Sequence, residues 1–240
     1  MQFYKWTQIG LSAAVGAILL SGCASRPIEP GPGLGSLWGQ LVLAPPEGFQ
    51  SPAPGPSQYG DPRLRDVRPV DHDYPGFAVV YLSDRAPVSD PLPIEIRSTR
   101  TGVRLSPESG VLGVAGTVAV TNHTTTSQIV SAPRLGHLEK LEPGGTLEIL
   151  ASQPGEMELH ILGAAPQTAL VFVSPGAFAI CTEDGRWTLS DQTPGPARLH
   201  AWHHRYPPTM RAVDIVEGQV QEVQLRATVT PSENALLVAP

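Results

Sequence analysis

The side chains that could do chemistry are mostly histidines, and the densest group lies near the C-terminus. The run from His200 to Tyr206 reads His-Ala-Trp-His-His-Arg-Tyr. In a β-strand, His200, Trp202 and His204 would share one face, while His203 points to the other. Two histidines beside a tryptophan could bind a metal ion, but no carboxylate is adjacent to complete the ligand set. The run is either structural or a protein-interaction patch, because Trp, Tyr and Arg are enriched at binding hot spots. That patch would consist of His200, Trp202, His204 and Tyr206.

The other histidines do not form a recognisable active-site motif. His123, His137 and His160 are scattered through the middle of the chain, and Asp71–Tyr74 lies in a Pro-rich stretch without a nucleophile motif. There is no G-x-S-x-G, H-E-x-x-H, C-x-x-C or phosphate-binding loop. Two cysteines exclude a four-cysteine zinc site, and a net charge of −6 at pH 7 argues against a nucleic-acid-binding protein. We therefore predict a protein that is not an enzyme and has no cofactor.

The elements that position these residues are predicted to be β-strands. The 240 residues include 26 Pro and 24 Gly, and each of these interrupts a helix at a cost of about 1–3 kcal/mol. Strand-like runs occur at 37–44 and 76–84, and a series of short runs follows from 93 to 173. One of these runs is continuous over 110–122. Turn signals such as Pro143-Gly144-Gly145 separate the runs, and this spacing predicts an all-β fold made of sandwiches.

The N-terminal segment is predicted to be an export signal that ends at a lipid-modified cysteine. Residues 1–22 contain an apolar stretch that is too short to span a bilayer comfortably and is typical of a secretory signal peptide. The run Leu20-Ser21-Gly22-Cys23 resembles a bacterial lipobox, which implies that Cys23 carries acyl chains such as palmitate. Residues 23–36 would form a Pro- and Gly-rich tether. We expect a membrane-anchored envelope lipoprotein, in the outer membrane facing the periplasm or the cell surface if the organism has two membranes.

Lipidation of Cys23 would leave Cys181 without a partner for a disulfide within the chain. Cys181 lies in an apparent strand, where a cysteine is usually a small buried apolar residue. We predict burial there rather than a reactive thiol.

Residues 174–230 resemble the carboxypeptidase-regulatory-like, or transthyretin-like, β-sandwich module. The matching features are Thr182–Leu189 with a predicted hairpin turn at Asp184-Gly185, Pro194-Gly195, Trp202-His203 and the pair of strands about Glu217-Gly218. Strands of the type that opens this module occur upstream, within residues 37–94, where a Pro-rich loop at 45–75 separates them. We therefore expect the module to be built from both ends of the chain, with residues 231–240 as a tail.

Residues 95–173 resemble a plastocyanin-like cupredoxin of the kind found in exported methylamine-utilisation-like proteins. The resemblance begins at the run Gly113–Asn122 and continues into two loops that carry copper ligands in the family. The positions of the family's two histidines, cysteine and methionine are occupied here by Gln128, Ala165, Leu162 and Thr168. Because a blue copper centre needs two imidazole nitrogens, a thiolate and a weak axial sulfur, the resemblance implies a cupredoxin-like sandwich that has lost its copper site.

These inferences predict a non-catalytic lipoprotein that acts as a structural or protein-binding component at the membrane surface, with another envelope protein as its partner. Two alternatives remain open. One is a periplasmic copper-handling or electron-transfer protein that uses His123, His137 or His160. The other is a carbohydrate- or cell-wall-binding lipoprotein, for which Trp187 and Trp202 are the candidate exposed aromatic residues.

Overall fold

The computed structural model of the chain describes residues 29–45, 75–88, 90–163 and 166–228. Some of the sequence-based predictions concern residues outside these ranges. They are the signal peptide at 1–22, Cys23 with most of the tether, residues 46–74 of the Pro-rich loop including Asp71–Tyr74, Ala165, and the tail at 231–240.

The regular secondary structure of the described residues is almost entirely β-strand, together with one turn of 3-10 helix at Pro133–Leu135. In chain order the strands are β1 Gly35–Ala44, β2 Ala78–Leu82, β3 Leu92–Thr99, β4 Gly102–Ser106, β5 Ser109–Gly113, β6 Thr117–Asn122, β7 Gln128–Ala132, β8 His137–Leu141, β9 Thr146–Leu150, β10 Gly155–Leu162, β11 Gln167–Ser174, β12 Ala177–Ile180, β13 Arg186–Gln192, β14 Gly195–His203, β15 Tyr206–Ile215, β16 Val220–Glu222 and β17 Leu225–Thr228. The prediction of an all-β fold is confirmed. In the part of the chain that is described, no helix has the length and apolar character needed to cross a membrane.

Strands β3 to β11 pair only with one another and form a two-sheet β-sandwich, which we call sandwich 1. One sheet has the order β4-β3-β6-β9, and the other has the order β5-β11-β10-β7-β8. Alternate residues of each strand point between the sheets, as the period of two requires. Ile96, Val120 and Leu159 are fully buried there, within one continuous aliphatic core.

The chain crosses from one sheet of sandwich 1 to the other between β5 and β6. The apolar run over 110–122 therefore contains two strands, β5 and β6, with a turn between them. Ala115 has a positive φ of 66°, and the Gly116 N–H donates to the Gly113 carbonyl at 2.9 Å, which closes a tight turn. β5 then pairs with β11, whereas β6 pairs with β3 and β9. The turn has no signal in the sequence pattern, because the strands on both sides of it contribute apolar residues to the core.

The remaining strands form a second β-sandwich, which we call sandwich 2. β1 pairs with β13, β16 and β17 in one sheet, and the other sheet has the order β12-β2-β14-β15. Leu37, Leu43 and Leu199 are fully buried in its core. Two strands that precede sandwich 1 thus pair with strands that follow it in the chain. The proposed domain boundaries and the transthyretin-like assignment stay predictions.

The turn at Asp184-Gly185 connects the two sheets of sandwich 2 rather than two paired strands. β12 pairs with β2 and β13 pairs with β1, so the predicted hairpin is wrong. The Thr182 hydroxyl stabilises this corner, because it donates to the Asp184 carboxylate at 2.5 Å and accepts the Arg186 N–H at 3.1 Å. Gly185 has a φ of 79°, and its carbonyl accepts the Leu41 N–H at 2.8 Å. A Cβ at position 185 would collide with the Leu41 carbonyl oxygen.

An apolar cluster with a large aromatic share joins the two sandwiches, and we call it the junction cluster. Its buried members are Val79, Val111, Phe172 and Trp202, with Phe77, Tyr81, Leu170 and Phe178 packed against them. Val111 and Phe172 come from sandwich 1, whereas Val79 and Trp202 come from sandwich 2. The faces of β11 and β14 that point away from the two cores therefore bury each other.

Candidate functional site

Gln128 replaces the first copper-binding histidine implied by the cupredoxin resemblance, and it is buried at the start of β7. Its Nε2 donates to the Thr126 Oγ1 at 2.9 Å and lies 3.3 Å from the Thr124 Oγ1. An amide nitrogen is a hydrogen-bond donor and has no lone pair to offer a metal ion, unlike an imidazole nitrogen. The Gln128 amide nitrogen therefore takes part in hydrogen bonds and cannot replace the imidazole nitrogen as a copper ligand.

Asn122 lies at the centre of the hydrogen bonds around Gln128. Its side chain is fully buried, and its Nδ2 donates to the carbonyls of Thr126 and Leu141, both at 2.9 Å. Its Oδ1 accepts the N–H of Thr124 at 2.9 Å and the hydroxyl of Thr124 at 2.7 Å. We call Asn122, Thr124, Thr126 and Gln128 the polar network. Because buried polar groups are costly unless they are paired, this network fixes the loop between β6 and β7.

The other positions implied by the copper site do not converge on Gln128. Leu162 is 43% exposed and lies opposite Ile129 on the outer face of its sheet. Thr168 is exposed on the same face, where its Oγ1 lies 2.9 Å from the Nδ1 of His160. Gln128 shares the inward face with the buried Val130. The three side chains that the structure describes thus lie on two different faces of the sheet.

Two of the three histidines of sandwich 1 each lie near one carboxylate. The Nε2 of His123 lies 3.7 Å from a Glu95 carboxylate oxygen, and the Nε2 of His160 lies 3.2 Å from a Glu158 carboxylate oxygen. His137 lies at the start of the separate strand β8. Among the described residues, no three His, Cys, Asp or Glu side chains are grouped so that they could hold a metal ion.

The histidine-rich run at the end of β14 is only partly exposed. Trp202 is 8% exposed because Phe172 of sandwich 1 covers it, and Tyr206 is 7% exposed because it packs into the core of sandwich 2. His200 is half-buried and His204 is exposed. The predicted interaction patch of these four residues is therefore wrong as an exposed surface, since its two aromatic members are buried within the chain.

The rings of His200 and His203, on β14, are held in place by contacts within the chain. The His200 ring stacks on Tyr81 with 4.9 Å between centroids, and burial lowers the pKa of His200. The Nδ1 of His203 accepts the backbone N–H of Arg205 at 3.2 Å, so its Nε2 carries the proton and donates to the Pro75 carbonyl at 3.1 Å. Burial, reinforced by the neighbouring His204, lowers the pKa of His203 to about 4. The neutral tautomer of His203 therefore fastens Pro75 to the end of β14.

Trp187 and Cys181 also belong to the core of sandwich 2. Trp187 is 3% exposed, so neither tryptophan named for carbohydrate binding presents its ring to solvent. Cys181 is 6% exposed, which confirms its predicted burial, and this burial raises the pKa of its thiol to about 12. The thiol is protonated at neutral pH and is not an activated nucleophile.

Comparison with known proteins adds a partial likeness in fold. No family model matches the chain, and no curated protein sequence matches it. A purple cupredoxin from Nitrosopumilus maritimus superimposes on 35% of this chain and 99% of its own length, with 20% sequence identity and a TM-score of 0.28. This similarity concerns the fold of part of the chain.

Proposed function

We propose that this chain is a non-catalytic, lipid-anchored protein of the cell envelope that binds another protein. The observation that carries the proposal is the hydrogen bonding of Gln128 within the polar network, at the position where the cupredoxin resemblance implies a copper-binding histidine. The amide and hydroxyl groups there are paired with one another and stabilise sandwich 1, and no three His, Cys, Asp or Glu side chains of the described residues are grouped around a metal position. A sandwich of this kind serves as a rigid support for binding surfaces.

The reactive side chains of the described residues support a non-catalytic role. The Cys181 thiol is buried and protonated. Both ring nitrogens of His203 are engaged in hydrogen bonds with the backbone. Neither residue therefore provides the nucleophile or the general base that hydrolytic or group-transfer chemistry requires.

The short distance along the chain from Cys23 to sandwich 2 supports a position close to the membrane. The Gly31 N–H donates to the Asp191 carboxylate at 2.8 Å, which attaches the incoming chain to sandwich 2. Seven residues lie between Cys23 and Gly31, and the eight residue-to-residue steps span at most about 26–29 Å when fully extended. A lipid on Cys23 would therefore hold sandwich 2 beside the bilayer surface.

The anchor and the partner can be tested together in intact cells. We expect the tagged protein to fractionate with membranes and Cys23→Ser to be released from them, whereas the matched cysteine control Cys181→Ala stays membrane-bound. Chemical crosslinking followed by affinity isolation should recover the same envelope protein in every replicate from the wild type. Membrane retention of Cys23→Ser would contradict the anchor, and the absence of a reproducible partner would contradict the binding role.

A further inference from the structure

A groove of about 450 Å³ lies where the two sandwiches meet. Thr188 and Ser190 of β13 line it on one side, and Phe178 of β12 and Val111 of β5 contribute apolar surface. Val88 and Asp90, from the segment between β2 and β3, also line the groove. The volume is within the range of about 300–1,000 Å³ that is usual for ligand sites.

One wall of the groove is the free edge of β13. This strand pairs with β1 along its other edge, and no described strand pairs with it on the groove side. The Leu41 N–H donates to the Gly185 carbonyl at 2.8 Å, which fixes the alternation of backbone groups between β1 and β13. Trp187 and Leu189 consequently direct their N–H and C=O groups towards β1. Thr188 directs both of its backbone groups away from β1, and Ser190 directs its N–H away from it.

The edge strand β12 shows the same alternation. The Cys181 N–H donates to the Ala78 carbonyl at 2.9 Å, so Phe178 and Ile180 direct their backbone groups away from β2. Phe178 is one of the residues that line the groove. Two edge strands, one from each sheet of sandwich 2, thus present backbone hydrogen-bonding groups near the groove.

The β13 edge is protected against strand pairing at one end only. Natural proteins protect free edges with Lys, Pro, a β-bulge or an inward-pointing charge, or they cover them. The register with β1 shifts as in a β-bulge between Leu189 and Gln192, so the regular part of the edge ends there. Here Thr188, Leu189 and Ser190 carry neither a charge nor a proline ring. The Ser190 carbonyl accepts a hydrogen bond from the side-chain amide of Gln192 at 2.6 Å. Both backbone groups of Thr188 and the N–H of Ser190 therefore remain available to an added strand.

The side chains of the groove indicate what such a strand would contain. Phe178 and Val111 offer apolar contacts, and Val88 at the groove is 74% exposed. Asp90 is the only charged side chain among the described residues that line the groove. Apolar residues on one face of the strand and a basic residue opposite Asp90 would complement this surface.

We infer that the groove binds an extended segment of a partner protein, which adds to β13 as a further strand. Main-chain hydrogen bonds to Thr188 and Ser190 supply affinity in this mode, and alternate side chains of the segment supply specificity. The inference rests on the proposed protein-binding function and names the site and the chemistry of the bound segment.

Two synthetic peptides test the inference without knowledge of the partner. The first is a fluorescent Lys-Val-Thr-Val-Thr-Val-Thr peptide, and the second is the same peptide with every other backbone nitrogen methylated. We expect saturable binding of the first by anisotropy and at least tenfold weaker binding of the second. Bound peptide should slow amide hydrogen exchange at Thr188 and Ser190. The absence of binding, or binding without slower exchange at these two residues, would overturn the inference.

Two substitutions at one position separate the backbone from the side chain. Thr188→Pro removes an N–H that points away from β1, so it removes no bond between β1 and β13, and proline is tolerated at such edge positions. We expect Thr188→Pro to weaken binding at least tenfold and Thr188→Val to change it less than twofold. Equal affinities of these two variants would overturn the inference. If Thr188→Pro does not fold, the inference is tested by comparing the affinities of the wild-type protein for the unmethylated and the methylated peptide.

The two proposals can fail separately. A reproducible partner that crosslinks equally well to the wild type and to folded Thr188→Pro would leave the proposed function intact and contradict the groove. A wild-type protein that binds the peptide but yields no envelope partner would support the groove and contradict the proposed envelope role.

Discussion

The ring of Phe172, on β11 of sandwich 1, stacks on the indole of Trp202, on β14 of sandwich 2, with 4.4 Å between ring centroids and 23° between ring planes. Phe77 meets the same indole edge-on at 5.8 Å. Both stacked side chains lie on faces that point away from the sandwich cores, yet they are only 3% and 8% exposed. The contact between the two sandwiches is therefore packed like a protein interior.

The junction cluster predicts a large effect of removing Trp202. We expect Trp202→Ala to lower the free energy of unfolding by about 3–5 kcal/mol, the usual cost of truncating a large buried aromatic side chain. Ile180→Ala is the matched control, because Ile180 is 52% exposed, and it should cost less than about 1 kcal/mol. Urea denaturation measures both. Equal costs for the two variants would show that Trp202 is not buried in solution.

The polar network predicts a second loss of stability. Asn122→Ala removes three buried hydrogen bonds and one partly buried one, so we expect it to lower the free energy of unfolding by about 2–3 kcal/mol. The adjacent His123 is half-exposed, and its Nε2 lies 3.7 Å from a carboxylate oxygen of Glu95. Because such exposed pairs contribute little, His123→Ala should lower the free energy of unfolding by less than about 1 kcal/mol. Thermal unfolding distinguishes the two, and a near-neutral Asn122→Ala would argue against the network.

The buried His203 predicts a loss of stability in acid. Its pKa falls from 6.5 to about 4 on folding, so between these values the unfolded chain binds a proton that the folded chain does not. Stability should therefore decrease as the pH falls from 6.5 to 4, by at most about 3 kcal/mol from this residue. The lowered pKa values of His200 and His204 act in the same direction. His203→Gln should flatten part of the dependence in urea unfolding at pH 7 and pH 4.5, and an unchanged slope would contradict the assignment.

The buried Cys181 predicts an unreactive thiol. Because burial raises its pKa to about 12, almost no thiolate exists at pH 8. In Cys23→Ser, we expect no labelling by a disulfide reagent under native conditions and one label per chain in urea. Rapid native labelling would show that the strand around Cys181 opens readily.

The fold class could be predicted from the sequence, whereas the crossings between sheets could not. The spacing of short apolar runs was enough to predict an all-β chain with strands near 37–44 and 76–84. The turn at Ala115 lies inside a continuous apolar run, and its positive φ has no signal in an alanine. The corner at Asp184-Gly185 has the residues of a hairpin, but its flanking strands pair with β2 and β1 instead of with each other.

The candidate site was predictable in its chemistry but not in its contacts. The replacement of the implied copper ligands by Gln128, Leu162 and Thr168 could be identified from the sequence alone. The alternation Asn-x-Thr-x-Thr-x-Gln from Asn122 was a signal for a polar network, yet only the fold shows that these groups bond one another. The burial of Trp202 could not be predicted, because it depends on Phe172 in the other sandwich.

Copper titration most directly tests the central claim that sandwich 1 supports binding rather than metal-dependent electron transfer. We expect equimolar Cu²⁺ to leave the midpoint of thermal unfolding unchanged and to produce no thiolate-to-copper absorption band. Stoichiometric copper that survives dialysis and raises the midpoint, with the increase lost in His160→Ala or His137→Ala, would contradict it.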